Sequence, residues 1–185
     1  MPEEDLWNSF YDAGCIVDKL ECARNGNEYI VEFGSGYGTF TLPVAGRTTG
    51  MVHALDIEPE LVALLESRAR DAGLGNIRAM HRDFVEFGTG LPSGTMDHAM
   101  IYNILHIENP VDLLKEGLRV LKPGATASVI HWKCDAWTPR GPSMDIRPNP
   151  GQCRRWATDA GFTFLRYQDL SDCCDYHYGL LLQRP

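Results

Sequence analysis

The feature that most limits what this chain can fold into is a short strand running directly into a glycine turn. Tyr29-Ile30-Val31-Glu32-Phe33 is a β-branched and aromatic run, and Gly34-Ser35-Gly36-Tyr37-Gly38 follows without a break. Side chains of the first kind suit a pleated, half-buried surface. Glycine accepts the positive φ of a tight turn and lets a ligand approach the backbone. Residues 39–45 then predict a helix, with Pro43 in its first turns, where a missing N–H matters least. Such a helix start offers free N–H groups and a positive dipole end, which suit a carboxylate or a phosphate.

The rest of the chain repeats the alternation. Residues 51–56, 77–81, 96–102 and 126–132 predict strands. Residues 59–72 predict a helix with Pro59 near its start and Gly73 just past its end. Residues 111–121 predict a helix stopped by Lys122-Pro123-Gly124, and residues 152–160 another, ending at Gly161. Residues 162–167 and 176–182 predict a closing pair of strands. At the front, Leu6, Phe10, Ile16, Val17 and Leu20 recur at a rough helical spacing, predicting one helix over residues 6–23. Strands alternating with helices imply an α/β fold with a mainly parallel sheet covered on both faces. Ligands in such sheets sit beyond the carboxyl ends of the strands. The residues just after each strand are therefore the candidates for function.

A chain of 185 residues is one ordinary domain, so residues 1–185 are expected to form a single unit. Within it, residues 1–25 are expected to be a helical lid and residues 133–151, rich in Pro, Gly, Arg and Trp, an ordered substrate loop. The net charge is −8, with no basic stripe, which argues against a nucleic-acid partner. No apolar run approaches a membrane span. The acidic start Met1-Pro2-Glu3-Glu4-Asp5 lacks the apolar stretch of a secretory signal, so a cytoplasmic location is expected. The six cysteines form no C-x-x-C pair and fit no zinc template, and no metal is expected. In that location disulfides are not expected either, only buried or scattered thiols. The competing reading is a thiophilic or metalloid site made by Cys134, Cys153 and the Cys173-Cys174 pair.

Two acids sharpen the glycine turn. A dinucleotide fingerprint is G-x-G-x-x-G, whereas the glycines here fall as G-x-G-x-G, with Thr39 in the place of the third dinucleotide glycine. Asp56 ends the second strand, 22 residues after Gly34, where its carboxylate can accept from both hydroxyls of a ribose. Its other reading is an N-cap near the next helix. Asp83 follows the third strand, placed for an adenine amino group, with Phe84 against the base. Its other reading is a solvated turn acid.

With these residues the chain resembles a class I S-adenosylmethionine-dependent methyltransferase of the small-molecule, ubiquinone-biosynthesis-like type, over residues 28–132. Glu32 to Gly38 resembles the first motif, Asp56 the ribose acid and Asp83 the adenine acid. Asn103-Ile104-Leu105-His106 resembles the segment after strand four. Leu121-Lys122-Pro123-Gly124 resembles the turn before strand five, with Ala125 replacing a second glycine. The resemblance implies a Rossmann-like three-layer sandwich with a seven-stranded, mostly parallel sheet in the order 3-2-1-4-5-7-6, the last strand antiparallel. It implies S-adenosylmethionine as cofactor and S-adenosylhomocysteine as its product. Glu32 would orient the cofactor's amino group through the loop, and Gly34 and Gly36 would allow close backbone approach. Ser35, Tyr37 and Gly38 complete the turn, Ile57 follows the ribose acid, and backbone near Asn103 and Ile104 would face the methionine part.

In that family a nucleophile attacks the sulfonium methyl group in line, so alignment carries much of the catalysis. A base is needed only when the nucleophile arrives protonated. His106, after strand four, is the first candidate, joined by His131 at the end of strand five and His177 in the closing hairpin. Arg140 and Arg147 in the substrate loop point to an anionic acceptor, with Tyr11 and Trp132 as pocket walls. No Asn/Asp-Pro-Pro-Tyr/Phe element follows strand four, which disfavours methylation of a base or a glutamine amide by that route. The expected partner is a small-molecule acceptor, with a homodimer left open. The alternatives are a thiol or metalloid methyltransferase and a non-catalytic, S-adenosylmethionine-binding regulatory subunit. The glycine spacing disfavours a nicotinamide-dependent oxidoreductase.

Overall fold

A computed structural model describes residues 3–185; Met1 and Pro2, where the expected domain and lid begin, lie outside the described residues. Seven strands form one sheet: β1 (Ile30–Phe33), β2 (Val52–Asp56), β3 (Ile77–His81), β4 (Met96–Tyr102), β5 (Leu121–Trp132), β6 (Thr163–Gln168) and β7 (His177–Gln183). Their order is β3-β2-β1-β4-β5-β7-β6. β1 pairs in parallel with β2 and β4, while β7 runs antiparallel between β5 and β6. This is the expected Rossmann-like architecture. The connections between parallel strands must cross over, and helices α3 (Thr41–Ala45), α4 (Pro59–Asp71), α5 (Phe84–Phe87) and α6 (Pro110–Val120) lie in them. α7 (Pro150–Ala160) packs with α6 and β6.

Two buried clusters lie on the two faces of the sheet. One gathers Phe33, Leu55, Ile101, Leu114 and Val129; the other gathers Ile30, Val52, Met100 and Ile130 with Ile16 and Leu20 of the N-terminal segment. Neighbouring strand residues alternate between the clusters, as the pleat requires.

Four features depart from the sequence expectation. The single front helix is two, α1 (Glu4–Asn8) and α2 (Ala13–Lys19), because the Asp12 side chain accepts from Cys15 N and restarts the helix as its N-cap. α5 is a single turn capped by Asp83. β5 begins at Leu121 rather than 126, since Met96 and Leu121 already pair before a register shift. Cys15 and Cys173, 158 residues apart, form a disulfide with a Cα–Cα distance of 5.7 Å, so the expectation of free thiols throughout is corrected. The bond joins α2 to the turn ahead of β7, a proximity that cysteine spacing does not reveal. Among the described residues no helix is long and apolar enough to cross a membrane.

Candidate active site

At the carboxyl ends of the central strands lies a cavity of 620 Å³. That is within the roughly 300–1,000 Å³ of small-molecule sites. Its floor is the glycine turn. Gly34 and Gly36 both have positive φ, at 75° and 53°, and both face the cavity with Ser35. A Cβ on Gly34 would stand 3.5 Å from Ile104 and 3.9 Å from Phe84, which also line the cavity. Gly38 plays a packing part instead: a Cβ there would come within 2.7 Å of Leu65. Tyr37 lies in a neighbouring crevice, where its carbonyl accepts from Arg68 at 2.7 Å.

Asp56 stands at the end of β2, and its carboxylate braces the turn. One oxygen accepts from Gly36 N at 2.7 Å and the other from Glu58 N at 3.0 Å. Each carboxylate oxygen keeps a further acceptor position, and Asp56 lines the cavity beside Ile57. Glu32 lies beneath the turn, fully buried, and accepts from the Thr41 hydroxyl. Burial, with the Asp56 charge adding to it, pushes its carboxyl up to about 8. Asp83 follows β3 just before Phe84. One of its oxygens accepts from Val85 N and Glu86 N at 3.1 and 3.0 Å, so it is the cap of α5, while its neighbour Phe84 reaches the cavity.

Asn103 follows β4 with φ +57°, a conformation that asparagine tolerates better than most side chains. Its amide donates to the Tyr11 hydroxyl at 3.0 Å, and Tyr11 meets His177 Nε2 at 2.9 Å. Asn103 Oδ1 and Ser35 Oγ are buried without a hydrogen-bond partner, and both residues line the cavity. Unmet buried polar atoms are costly, and both belong to residues of the cavity wall.

The three histidines do not gather as one set. Trp132 pairs with His177 and His131 with Tyr178 across β5 and β7, so His131 and His177 project from opposite faces of the sheet. His131 is fully buried and meets His106 Nδ1 through Nε2 at 3.3 Å. Burial and the neighbouring His106 drive its imidazole down to about 3. Half-buried His106 is also lowered by burial, and of the three it alone lines the cavity. His177 is lowered well below its ordinary value by burial, and its Nδ1 meets Cys174 Sγ at 2.9 Å. Among the described residues no three His, Cys, Asp or Glu side chains are placed as a metal-binding group.

The two loop arginines also divide. Arg140 is exposed and lines the cavity mouth with Gly141 and Pro142. Arg147 is buried, and its guanidinium donates to the carbonyls of Pro142, Lys133 and Arg140 at 2.8, 3.0 and 3.2 Å. It holds the loop in place from behind, with its head 5.6 Å from the Trp132 ring centre. A Cβ on Gly141 would come within 2.9 Å of Trp132, which is why the loop can lie on that ring.

Sequence reasoning missed Trp7, Thr39 and Phe40, all in the cavity wall. Thr39 and Phe40 follow the glycine turn directly, which was a usable signal. Trp7 has none, because only the chain's return over the sheet brings it there. It donates to Thr39 Oγ1 at 3.0 Å, and Glu4 pairs with Arg68 at 2.6 Å, fastening α1 across the cavity mouth.

A family model described as a methyltransferase domain matches residues 30–124. A SAM dependent methyltransferase from Aquifex aeolicus has a similar structure, with a TM-score of 0.84 and 20% identity over 99% of this chain and 94% of that one. The cyclase SpnF aligns at 0.78 and 19% identity over 93% and 80% of the two chains. Geranyl diphosphate methyltransferase, solved with SAM, aligns at 0.76 and 14% identity over 94% and 84%. At these identities the likeness is one of fold.

Proposed function

The chain belongs to the methyltransferase-domain family, and we propose that it moves the methyl group of S-adenosylmethionine to a small anionic acceptor. The fold does not fix the reaction, since SpnF is a cyclase by name. The observation that carries the proposal is the single cavity holding the Gly34–Gly36 turn, Asp56 and the two unmet polar atoms of Ser35 and Asn103. Those groups suit the cofactor: a carboxylate for a ribose, open backbone for the methionine part, and an amide oxygen and a hydroxyl for its charged end.

When bound, the cofactor supplies an electrophilic methyl on a sulfonium, whose C–S bond breaks as the acceptor–methyl bond forms, leaving S-adenosylhomocysteine. The chain's own residues then have three tasks. Trp7, Phe40 and Trp132 wall off water, which favours the aligned geometry of displacement. Arg140 offers its guanidinium to an acceptor's negative group. His106 takes the acceptor's proton when there is one, with its lowered basicity keeping the ring neutral and ready. His131, behind it, is a positioning residue. Tyr11 and His177 act through Asn103, holding its amide so that Oδ1 faces the cavity. Cys22, Cys134, Cys153, Cys173 and Cys174 are absent from the cavity wall, and nothing there favours a thiol or metalloid acceptor.

Calorimetry tests the cofactor assignment. S-adenosylmethionine is expected to bind the parent chain, and Asp56→Ala to weaken it by at least about tenfold, or 1.4 kcal/mol. Equal affinity in the variant overturns the ribose role of Asp56, and tighter binding of NADH overturns the whole reading.

A further inference from the structure

A second cavity, of 500 Å³, lies at the other end of the strands. The cover over β2 and β3 is thin there, because α5 is one turn and residues 88–95 continue as a loop. His53 and Arg78 are register partners on β2 and β3, so their side chains share one face of the sheet and line this cavity. His53 is 9% exposed, and its Nδ1 is buried without a partner. Arg78 is exposed and, among the described residues, has no side-chain hydrogen bond or ion pair; its charge acts on His53. Lys122, on the far wall, is already engaged by Asp97 at 2.7 Å and lies over the Tyr29 ring. The remaining wall is mainly apolar, formed by Tyr29, Met80, Leu91, Pro92 and Met96, with Thr95 and two glycines beside them.

The rim of this cavity is held rigidly. Glu116 accepts from Thr89 N and Thr89 Oγ1 at 2.7 and 2.6 Å. Arg119 donates to Leu91 O and Ser93 Oγ at 2.9 and 2.8 Å. A wall fixed before binding lowers the entropy lost on binding. Methyl transfer uses none of these residues.

We propose that this cavity binds an aromatic carboxylic acid, with its carboxylate on Arg78 and His53 and its ring against Tyr29, Met80 and Leu91. The planar guanidinium forks a carboxylate, and the imidazole N–H supplies a second donor at its side. One unpaired cation against an apolar wall fits a monoanion with a flat apolar body. A phosphate monoester would bring more charge than the free donors match.

The test is a titration of the full chain, labelled for NMR, with benzoate and with benzamide as its uncharged counterpart. Benzoate is expected to give saturable shifts at His53, Arg78 and Leu91 and to raise the His53 pKa. Benzamide with the parent, and benzoate with Arg78→Gln, are each expected to bind at least about tenfold more weakly. Shifts confined to His106 and Arg140 overturn the proposal, as does benzamide binding as well as benzoate. Unchanged benzoate affinity in Arg78→Gln, or no saturable shift, overturns it too. S-adenosylmethionine affinity, measured beside it, is expected to be unaltered in Arg78→Gln. In the parent chain, cofactor binding without saturable benzoate binding defeats this proposal alone, and benzoate binding without cofactor binding defeats only the methyl-transfer reading.

Discussion

Glu32 shows how one side chain reports on the site. Its carboxyl is fully buried beneath the glycine turn, with Thr41 as its hydrogen-bond donor and Asp56 as the charge acting on it. Burial lifts it from an ordinary 4.5 to about 8 in the folded chain. Between those values the folded state holds a proton that the unfolded state has released. The stability present below 4.5 is therefore lost as pH rises toward 8. Each pH unit in that window removes up to about 1.4 kcal/mol. Denaturant unfolding of the ligand-free chain is expected to show this decline, and Glu32→Gln to flatten it. A variant with the parent's slope would place the titration elsewhere. Asp56 and Asp83 teach a related lesson at the same scale. Both were legible as acids at strand ends. Asp83 also caps a one-turn helix, with one carboxylate oxygen accepting from two free N–H groups there.

Among the elements, α1 brings Trp7 into the cavity wall, and α2 follows it. α1 is five residues long and buries no side chain, so it cannot hold its place by its own packing. It is held by the Trp7–Thr39 hydrogen bond, by the Glu4–Arg68 pair and, through α2, by the Cys15–Cys173 disulfide. Asp12 N, three residues before Cys15, also donates to Cys173 O at 2.8 Å. Losing a native disulfide in a small domain costs about 2–5 kcal/mol. The Cys15→Ser/Cys173→Ser variant, or the parent in dithiothreitol, is expected to lose stability of that order. Amides of residues 4–19 are expected to exchange faster, since local opening follows the weakest ties. Unchanged midpoint and exchange would show that the noncovalent contacts suffice. In the loop between β5 and α7, the division between Arg140 and Arg147 has a packing cause. Arg147 lies against Trp132, and its donors fall opposite three carbonyls of the loop itself.

For the whole molecule, the sheet brings together residues from Trp7 to Pro142 around one cavity. A ligand that binds only this folded arrangement must stabilise all of it. S-adenosylmethionine at about one hundred times its dissociation constant is expected to add about 2.7 kcal/mol. For a chain of this size that moves the thermal midpoint up by roughly 5–11 °C. A midpoint unmoved at a saturating concentration would mean that the cavity is not the cofactor site. The second cavity belongs to this scale as well, because it depends on β2 and β3 lying side by side and on α6 pinning a loop from the next crossover.

Local order carried most of the fold into the sequence. Strand periodicity, the glycine turn and the prolines at helix starts are local properties, so the α/β alternation and the positions of Gly34, Gly36, Asp56 and Asn103 could be read directly. What the sequence could not contain was distance across the chain. The Cys15–Cys173 bond, Trp7 in the cavity wall and the pairing of His53 with Arg78 each join segments far apart in order. The split of the histidines arose differently, from the pleat. His131 and Trp132 are adjacent in sequence yet face opposite sides of the sheet, so only the register of β5 against β7 decides which imidazole meets His106 and which meets Tyr11.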